Sequence, residues 1–112
     1  MGIPSVGDII LVPFPFSDLT GFKKRPGLVL ARTSSEDLII CQITSKALRD
    51  ESAITLSDDD FATGELPHQS NVRPNKIFTA DNKIVLATIA KVTDDFVAKT
   101  ISETVRILRA QK

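Results

Sequence analysis

The sequence has no tryptophan, no tyrosine, a single cysteine, a single histidine, and no surplus of either charge. One cysteine, Cys41, excludes an intrachain disulfide, and with one histidine it leaves no zinc-type ligand set. A cytoplasmic protein with no metal and no cofactor is therefore the expectation. No apolar run approaches the roughly 18–20 residues needed to cross a bilayer, so no membrane partner is expected. The N-terminus shows neither the basic region nor the apolar core of a signal peptide, and Val6 breaks the myristoylation pattern that Met1-Gly2 would open. Fourteen Lys and Arg balance fourteen Asp and Glu, so no global positive field draws the chain to a polyanion. Any nucleic-acid contact must then rest on basic groups clustered locally.

What is present is ordinary for a globular chain. Hydrophobic residues make up 42% and charged residues 25%, too apolar a mixture for a disordered tail. With 112 residues there is material for one core, and no repeat, low-complexity tract or linker divides it. One domain spanning residues 1–112 is expected.

Short apolar runs separated by turn residues predict strands. Residues 8–16, DIILVPFPF, form the first, with Phe14 and Phe16 on one face and expected in the core. Pro13 and Pro15 cannot donate to a ladder, so the strand should leave the sheet or lie at its edge there. Residues 17–24, SDLTGFKK, read as a polar loop leading to Arg25, which Pro26 biases toward extended backbone. Strands follow at 27–32 and 38–44, with a weaker one at 52–56. Residues 57–64, SDDDFATG, predict a short helix with Ser57 as N-cap, acidic residues in the first turn and Gly64 at the stop. Asp58, Asp59 and Asp60 superficially suggest a metal cluster, but three consecutive helical positions point in different directions.

Residues 70–80 and 83–92 read as two further strands joined by a tight turn at Asp81-Asn82, the second buried on both sides through Ile84 to Leu86. Thr93 caps a helix from Asp94 to about Arg109, where Val97, Ile101, Val105 and Leu108 make an apolar stripe suited to core or dimer packing. Five or six short strands and one terminal helix predict a mostly β, strongly bent barrel with a helix packed on it.

Three segments carry a resemblance. GDIILVPFPFSDLTGFKKRPGLVL, residues 7–30, resembles the opening signature of the PemK/MazF toxin family. CQITSK, residues 41–46, resembles the family's second catalytic strand, and GELPHQSNVRPNKIFT, residues 64–79, resembles the segment that closes its barrel. Any one of these is weak, whereas three in order at matching spacing are specific. The resemblance implies a small SH3-like β-barrel of the CcdB/Kid/MazF kind, with a short internal helix and a C-terminal helix, assembled as a homodimer. It implies a metal-independent endoribonuclease that cleaves single-stranded messenger RNA within a short motif. It also implies a cognate antitoxin whose C-terminal segment covers the RNA groove, and operator DNA met only through the antitoxin complex. By position, Arg25 corresponds to the family's catalytic arginine and Thr44 to its catalytic threonine. Ser45 stands beside that threonine, and Ser17 lies in the loop that approaches substrate in such toxins.

These residue types suit that chemistry. RNA carries its own nucleophile, the 2′-hydroxyl, so cleavage needs alignment of that group with phosphorus and stabilisation of the developing charge. The pentacoordinate phosphorane is more anionic at its equatorial oxygens than the diester, and the forked guanidinium of Arg25 matches that geometry better than an ammonium. Arginine is a poor base, which assigns Arg25 to transition-state stabilisation and leaves the base open. A threonine hydroxyl at a strand end, as at Thr44, can donate to a phosphoryl oxygen from a fixed position.

His68 fits general acid/base work by residue type, although it follows Pro67 in a presumed loop and matches no family position. Lys23, Lys24 and Arg25, joined by Arg73 and Lys76, make a local basic cluster able to track an RNA backbone. Base stacking falls to phenylalanine, with Phe22 the one expected at the surface. Cys41 reads as an inert core residue. Two other readings use the same residues: a non-enzymatic barrel that binds DNA with an antitoxin or inhibits another protein, and a toxin-like protein whose site has decayed.

Overall fold

The alternating apolar runs become strands in the computed structural model, which describes residues 3–15, 22–33, 35–46 and 51–110. Within those residues the strands are β1 (Asp8–Pro15), β2 (Phe22–Arg32), β3 (Asp37–Thr44), β4 (Ile54–Leu56), β5 (Phe61–Gly64), β6 (Ser70–Asp81) and β7 (Ala87–Val92), followed by the helix α1 (Asp94–Arg109). Every pairing is antiparallel, in the order β4-β6-β3-β2-β1-β7-β5. The two ends of that order, β4 and β5, are separated in the chain by only residues 57–60. So short a link forces the sheet to curl until its edges approach, and the result is a nearly closed barrel. Register shifts that leave extra residues in β2, β5, β6 and β7 sharpen the bend, since each bulge adds local twist.

Alternation along the strands divides the apolar residues between two clusters. The larger contains Ile9, Leu28, Cys41, Ile43, Leu56, Val72 and Val92, with Phe61 packed against it, so that all seven strands contribute to the barrel interior. Phe96 and Val97 of α1 complete it. The smaller, on the opposite face of the long strands, holds Ile10, Val12, Val29, Leu38, Ile40 and Ala80. Cys41 is fully buried, as its apolar strand suggested, and burial pushes its thiol up to about 12. Among the described residues no helix is long and apolar enough to cross a membrane.

Several sequence expectations are met. β1 pairs with β7 only over Asp8–Leu11, so Pro13 and Pro15 lie beyond that ladder with β2 as their one neighbour. Thr93 caps α1 by accepting from the Phe96 amide at 3.2 Å.

Others are corrected. Of the loop expected over 17–24, residues 22–24 belong instead to β2, which pairs with the proline end of β1, and residues 17–21 lie outside the described residues. The helix expected over 57–64 is one 3-10 turn at Asp58–Asp60. Ser57 and Asp60 close that turn as a capping box, after which the edge of β7 captures residues 61–64 as β5. The strand expected over 83–92 is broken by a second 3-10 turn at Asn82–Ile84, capped by Asp81 accepting from the Lys83 amide. Ile84 and Leu86 are therefore exposed rather than buried on both sides.

The stripe on α1 is split, with Val97 in the core and the rest outside it. Ile101, Val105 and Leu108 are exposed, and the buried face consists of Phe96, Val97, Thr100 and Thr104. Threonine is tolerated there because each hydroxyl donates back to a carbonyl one turn earlier, Thr100 to Phe96 at 3.0 Å and Thr104 to Thr100 at 2.9 Å.

Candidate functional site

Arg25 sits in β2 opposite Val12 of β1. On its other side β2 pairs with β3 through Gly27↔Gln42, where the ladder ends. The same register carried two residues further brings Arg25 level with Thr44, and Thr44 pairs in turn with Asn71 of β6. Asn71 faces Thr55 of β4, whose hydroxyl donates to the Asn71 side-chain oxygen at 2.9 Å. Residues opposite one another across a sheet share a face, so Arg25, Thr44, Asn71 and Thr55 form one polar row crossing four strands.

The next row, two residues along, holds Gly27, Gln42 and Arg73, with an Arg73 Nη1 to Gln42 Oε1 hydrogen bond of 3.4 Å. Gly27 contributes no side chain to it. A Cβ there would lie 2.5 Å from the Ile40 Cγ2, so only glycine lets β2 and β3 approach this closely beside Arg25.

Thr44 is 9% exposed and ends its strand by accepting a hydrogen bond from the Lys46 amide at 3.2 Å. That bond fixes the hydroxyl oxygen and uses an acceptor lone pair, leaving the hydroxyl proton for another partner. Arg25 is half-buried, while Lys24 and Ser45 are exposed. Arg25, Pro26, Ile43 and Ser45 line a cavity of about 370 Å³ that is walled by Glu65, Leu66, Pro67 and His68, the segment linking β5 to β6. The other side of the same segment borders a second cavity of about 410 Å³, with Phe61, Asp58 and Ser57.

The sequence candidates thus separate. Arg25 and Ser45 share a cavity, Thr44 lies level with Arg25 on the polar face, and Arg73 is engaged one row away with Gln42. Lys24 is exposed next to Arg25. Phe22 and Lys23 belong to β2, but their side chains, like that of Phe14, lie outside what is described. Ser17 and Phe16 also fall outside the described residues. Sequence reading passed over Gln42, Asn71, Thr55 and Glu65. Gln42 and Thr44 carried a signal, as polar residues two apart in an otherwise apolar strand; the others depend on register and loop path. Among the described residues no group of three or more His, Cys, Asp or Glu is placed to hold a metal ion.

Fold and register together define a small curled antiparallel barrel with a polar, arginine-bearing row across four of its strands. The chain belongs to the PemK-like, MazF-like toxin family of type II toxin-antitoxin systems, whose profile matches residues 5–108. No curated protein sequence matches it. Solved structures share the fold. A chain of the MazE-MazF structure (Form-III) from Deinococcus radiodurans has 19% identity and a TM-score of 0.77, covering 98% of this chain and 100% of that one. An endoribonuclease from a mycobacterial species has 14% identity and a TM-score of 0.73, covering 96% and 93%. A mycobacterial endoribonuclease in complex with its cognate antitoxin has 14% identity and a TM-score of 0.74, covering 97% and 98%.

Proposed function

We propose that this chain is the toxin of a type II toxin-antitoxin pair and acts as a metal-independent endoribonuclease on single-stranded messenger RNA. The observation that carries the reading is the register of β2 on β3, which carried two residues past Gly27↔Gln42 brings Arg25 level with Thr44 on one polar face. Membership of the toxin family and the likeness to barrels named as endoribonucleases support it.

In this reading the scissile phosphate lies over the row from Arg25 to Thr44. Arg25 pairs its guanidinium with the equatorial oxygens as they gain charge. Thr44, held by the Lys46 amide, donates its hydroxyl proton to a phosphoryl oxygen. The 2′-oxygen bonds to phosphorus as the bond to the 5′-oxygen breaks, giving a 2′,3′-cyclic phosphate and a 5′-hydroxyl. Ser17, Phe22, Lys23, Lys24, Ser45 and Arg73 contribute substrate contacts around that centre. The protein works in the cytoplasm as a homodimer. The exposed Ile101, Val105 and Leu108 of α1 suit a second copy, and an antitoxin covers the polar face at rest.

The test is direct. Purified protein incubated with single-stranded RNA in EDTA should cut it and leave cyclic phosphate ends, and Arg25→Ala should not. Sequencing of cellular RNA 5′ ends after brief induction would give the motif. RNA that survives intact across many sequence contexts would overturn the proposal.

A further inference from the structure

Resting on the ribonuclease reading, we infer that Asn71 reads a base of the bound RNA, its carboxamide nitrogen donating to a nucleobase carbonyl oxygen, and that Thr55 sets the direction of that donation. The polar row does not end at the residues assigned to the phosphate. Beyond Thr44 it continues to Asn71 of β6 and then to Thr55 of β4, the last strand in the sheet order. Neighbouring strands lie about 4.8 Å apart, so Asn71 stands one such step from Thr44. A base is separated from its phosphate by a single sugar. RNA whose scissile phosphate lies over Arg25 and Thr44 can therefore set a base over Asn71.

The carboxamide has a defined direction. The Thr55 hydroxyl donates to the Asn71 side-chain oxygen at 2.9 Å, which holds that oxygen toward β4. Oxygen and nitrogen diverge from one carbon, so the nitrogen is turned away from β4. It carries two N–H donors. Among the described residues nothing accepts from them, and no buried side-chain nitrogen or oxygen lacks a partner, so this nitrogen is open to solvent. Ser70 and Val72, on either side of Asn71, are buried, which leaves Asn71 as the position of this stretch on the polar face.

The surroundings attract a polyanion. The two rows hold Arg25, Thr44, Asn71 and Thr55, then Gly27, Gln42 and Arg73, with two guanidiniums and no carboxylate. Cationic groups on phosphates fix the position of the strand but carry no sequence information, which is read by hydrogen bonds to base edges. Asn71 is an uncharged, oriented donor suited to the second task. An asparagine with both ends available pairs with adenine, giving a hydrogen bond to a ring nitrogen and accepting one from the amino group. With its oxygen held by Thr55, Asn71 suits instead the carbonyl oxygen of uracil, guanine or cytosine, a group adenine lacks.

The experiment is competitive cleavage of a randomised single-stranded RNA pool, with the cut ends sequenced, by the unmodified chain, Asn71→Ala, Asn71→Asp, Thr55→Val and Thr55→Ser. The readout is the ratio of cutting among the four bases at each position, which partial unfolding or a uniform loss of rate does not change. The unmodified chain should prefer carbonyl-bearing bases over adenine at one position beside the cut. Asn71→Ala should reduce that preference by about 2–10-fold, the worth of one hydrogen bond. Asn71→Asp keeps the shape but replaces the donors by acceptors, and should move the preference toward bases that offer an amino group, adenine and cytosine. Thr55→Val should weaken the preference at the same position with Asn71 intact, and Thr55→Ser should keep it. Adenine favoured at the position that Asn71→Ala alters would overturn the inference. So would ratios unaltered at every position in both Asn71 variants, even with a fall in total cutting, since the contact would then be to sugar or phosphate. A Thr55→Val chain with the unmodified preference would remove Thr55 as a positioning residue. Each of these outcomes leaves the ribonuclease reading standing, whereas failure of the unmodified chain to cut any RNA would overturn both.

Discussion

Gly27 offers a quantitative test of how the polar face is built. Its position opposite Gln42 and two residues from Arg25 puts a Cβ 2.5 Å from the Ile40 Cγ2 and 3.4 Å from the Cys41 carbonyl oxygen. Ile40 is fully buried, and a γ-methyl on a branched Cβ cannot swing aside without turning χ1 into the surrounding core. The overlap of about 1 Å, measured against ordinary carbon contacts of about 3.5–4.0 Å, must be relieved by parting β2 from β3. Overpacking of this kind costs roughly 1–3 kcal/mol, and the lower chain entropy of unfolded Ala returns about 0.4–1 kcal/mol. Gly27→Ala should therefore destabilise by about 1–2 kcal/mol. Urea unfolding followed by far-ultraviolet circular dichroism at fixed protein concentration would measure it, since the absence of Trp and Tyr removes the usual fluorescence signal. Ile40→Ala alone should cost about 2–5 kcal/mol through the cavity it leaves. In that background Gly27→Ala should become neutral or stabilising, a coupling of about 1–3 kcal/mol. Ile40→Val, which keeps both γ-carbons, should give no relief. If Gly27→Ala changes stability by less than about 0.5 kcal/mol, or costs the same with Ile40 truncated, the close approach of β2 and β3 described above is wrong.

Three further outcomes can be checked. Thr44→Val keeps the shape but removes the hydroxyl, and should slow RNA cleavage by about 10²–10³-fold, whereas Thr44→Ser should keep most of the rate; an active valine variant would remove Thr44 from the chemistry. Burial raises the Cys41 thiol from an ordinary 9.0 to about 12, so its contribution to stability is complete below 9.0 and is lost as pH climbs toward 12. Between pH 8 and 10 the unmodified chain should lose about 1.4 kcal/mol more than Cys41→Ala, and a thiol reagent at neutral pH should react only after unfolding; equal losses would count against the burial. Thr93→Ala strands the amide of the buried Phe96 and should cost about 1 kcal/mol in urea unfolding, which Thr93→Ser should largely restore.

The sequence by itself determined what depends on near neighbours. Alternating apolar residues located most of the strands. Thr93 with Asp94 and Asp95 located the start of α1, and the prolines after Val12 marked where β1 would have a single neighbour. Arg25 and Thr44 were named through resemblance, while Gln42 was passed over although its polar place in an apolar strand carried a signal. Tertiary structure decided what depends on distant neighbours. Residues 61–64 follow a capped turn and look helical locally, but the free edge of β7 offers hydrogen bonds that one more helical turn does not. Ile84 and Leu86 look like a buried strand until the Asp81 cap turns the chain away from the sheet. The polar face was the least accessible to reading, because Thr55, Asn71, Thr44 and Arg25 come from four strands and meet only through cross-strand register. A one-residue slip in any ladder would send its side chains to the opposite face. That register is fixed by the packing of the whole barrel, to which no single stretch of chain contains the answer.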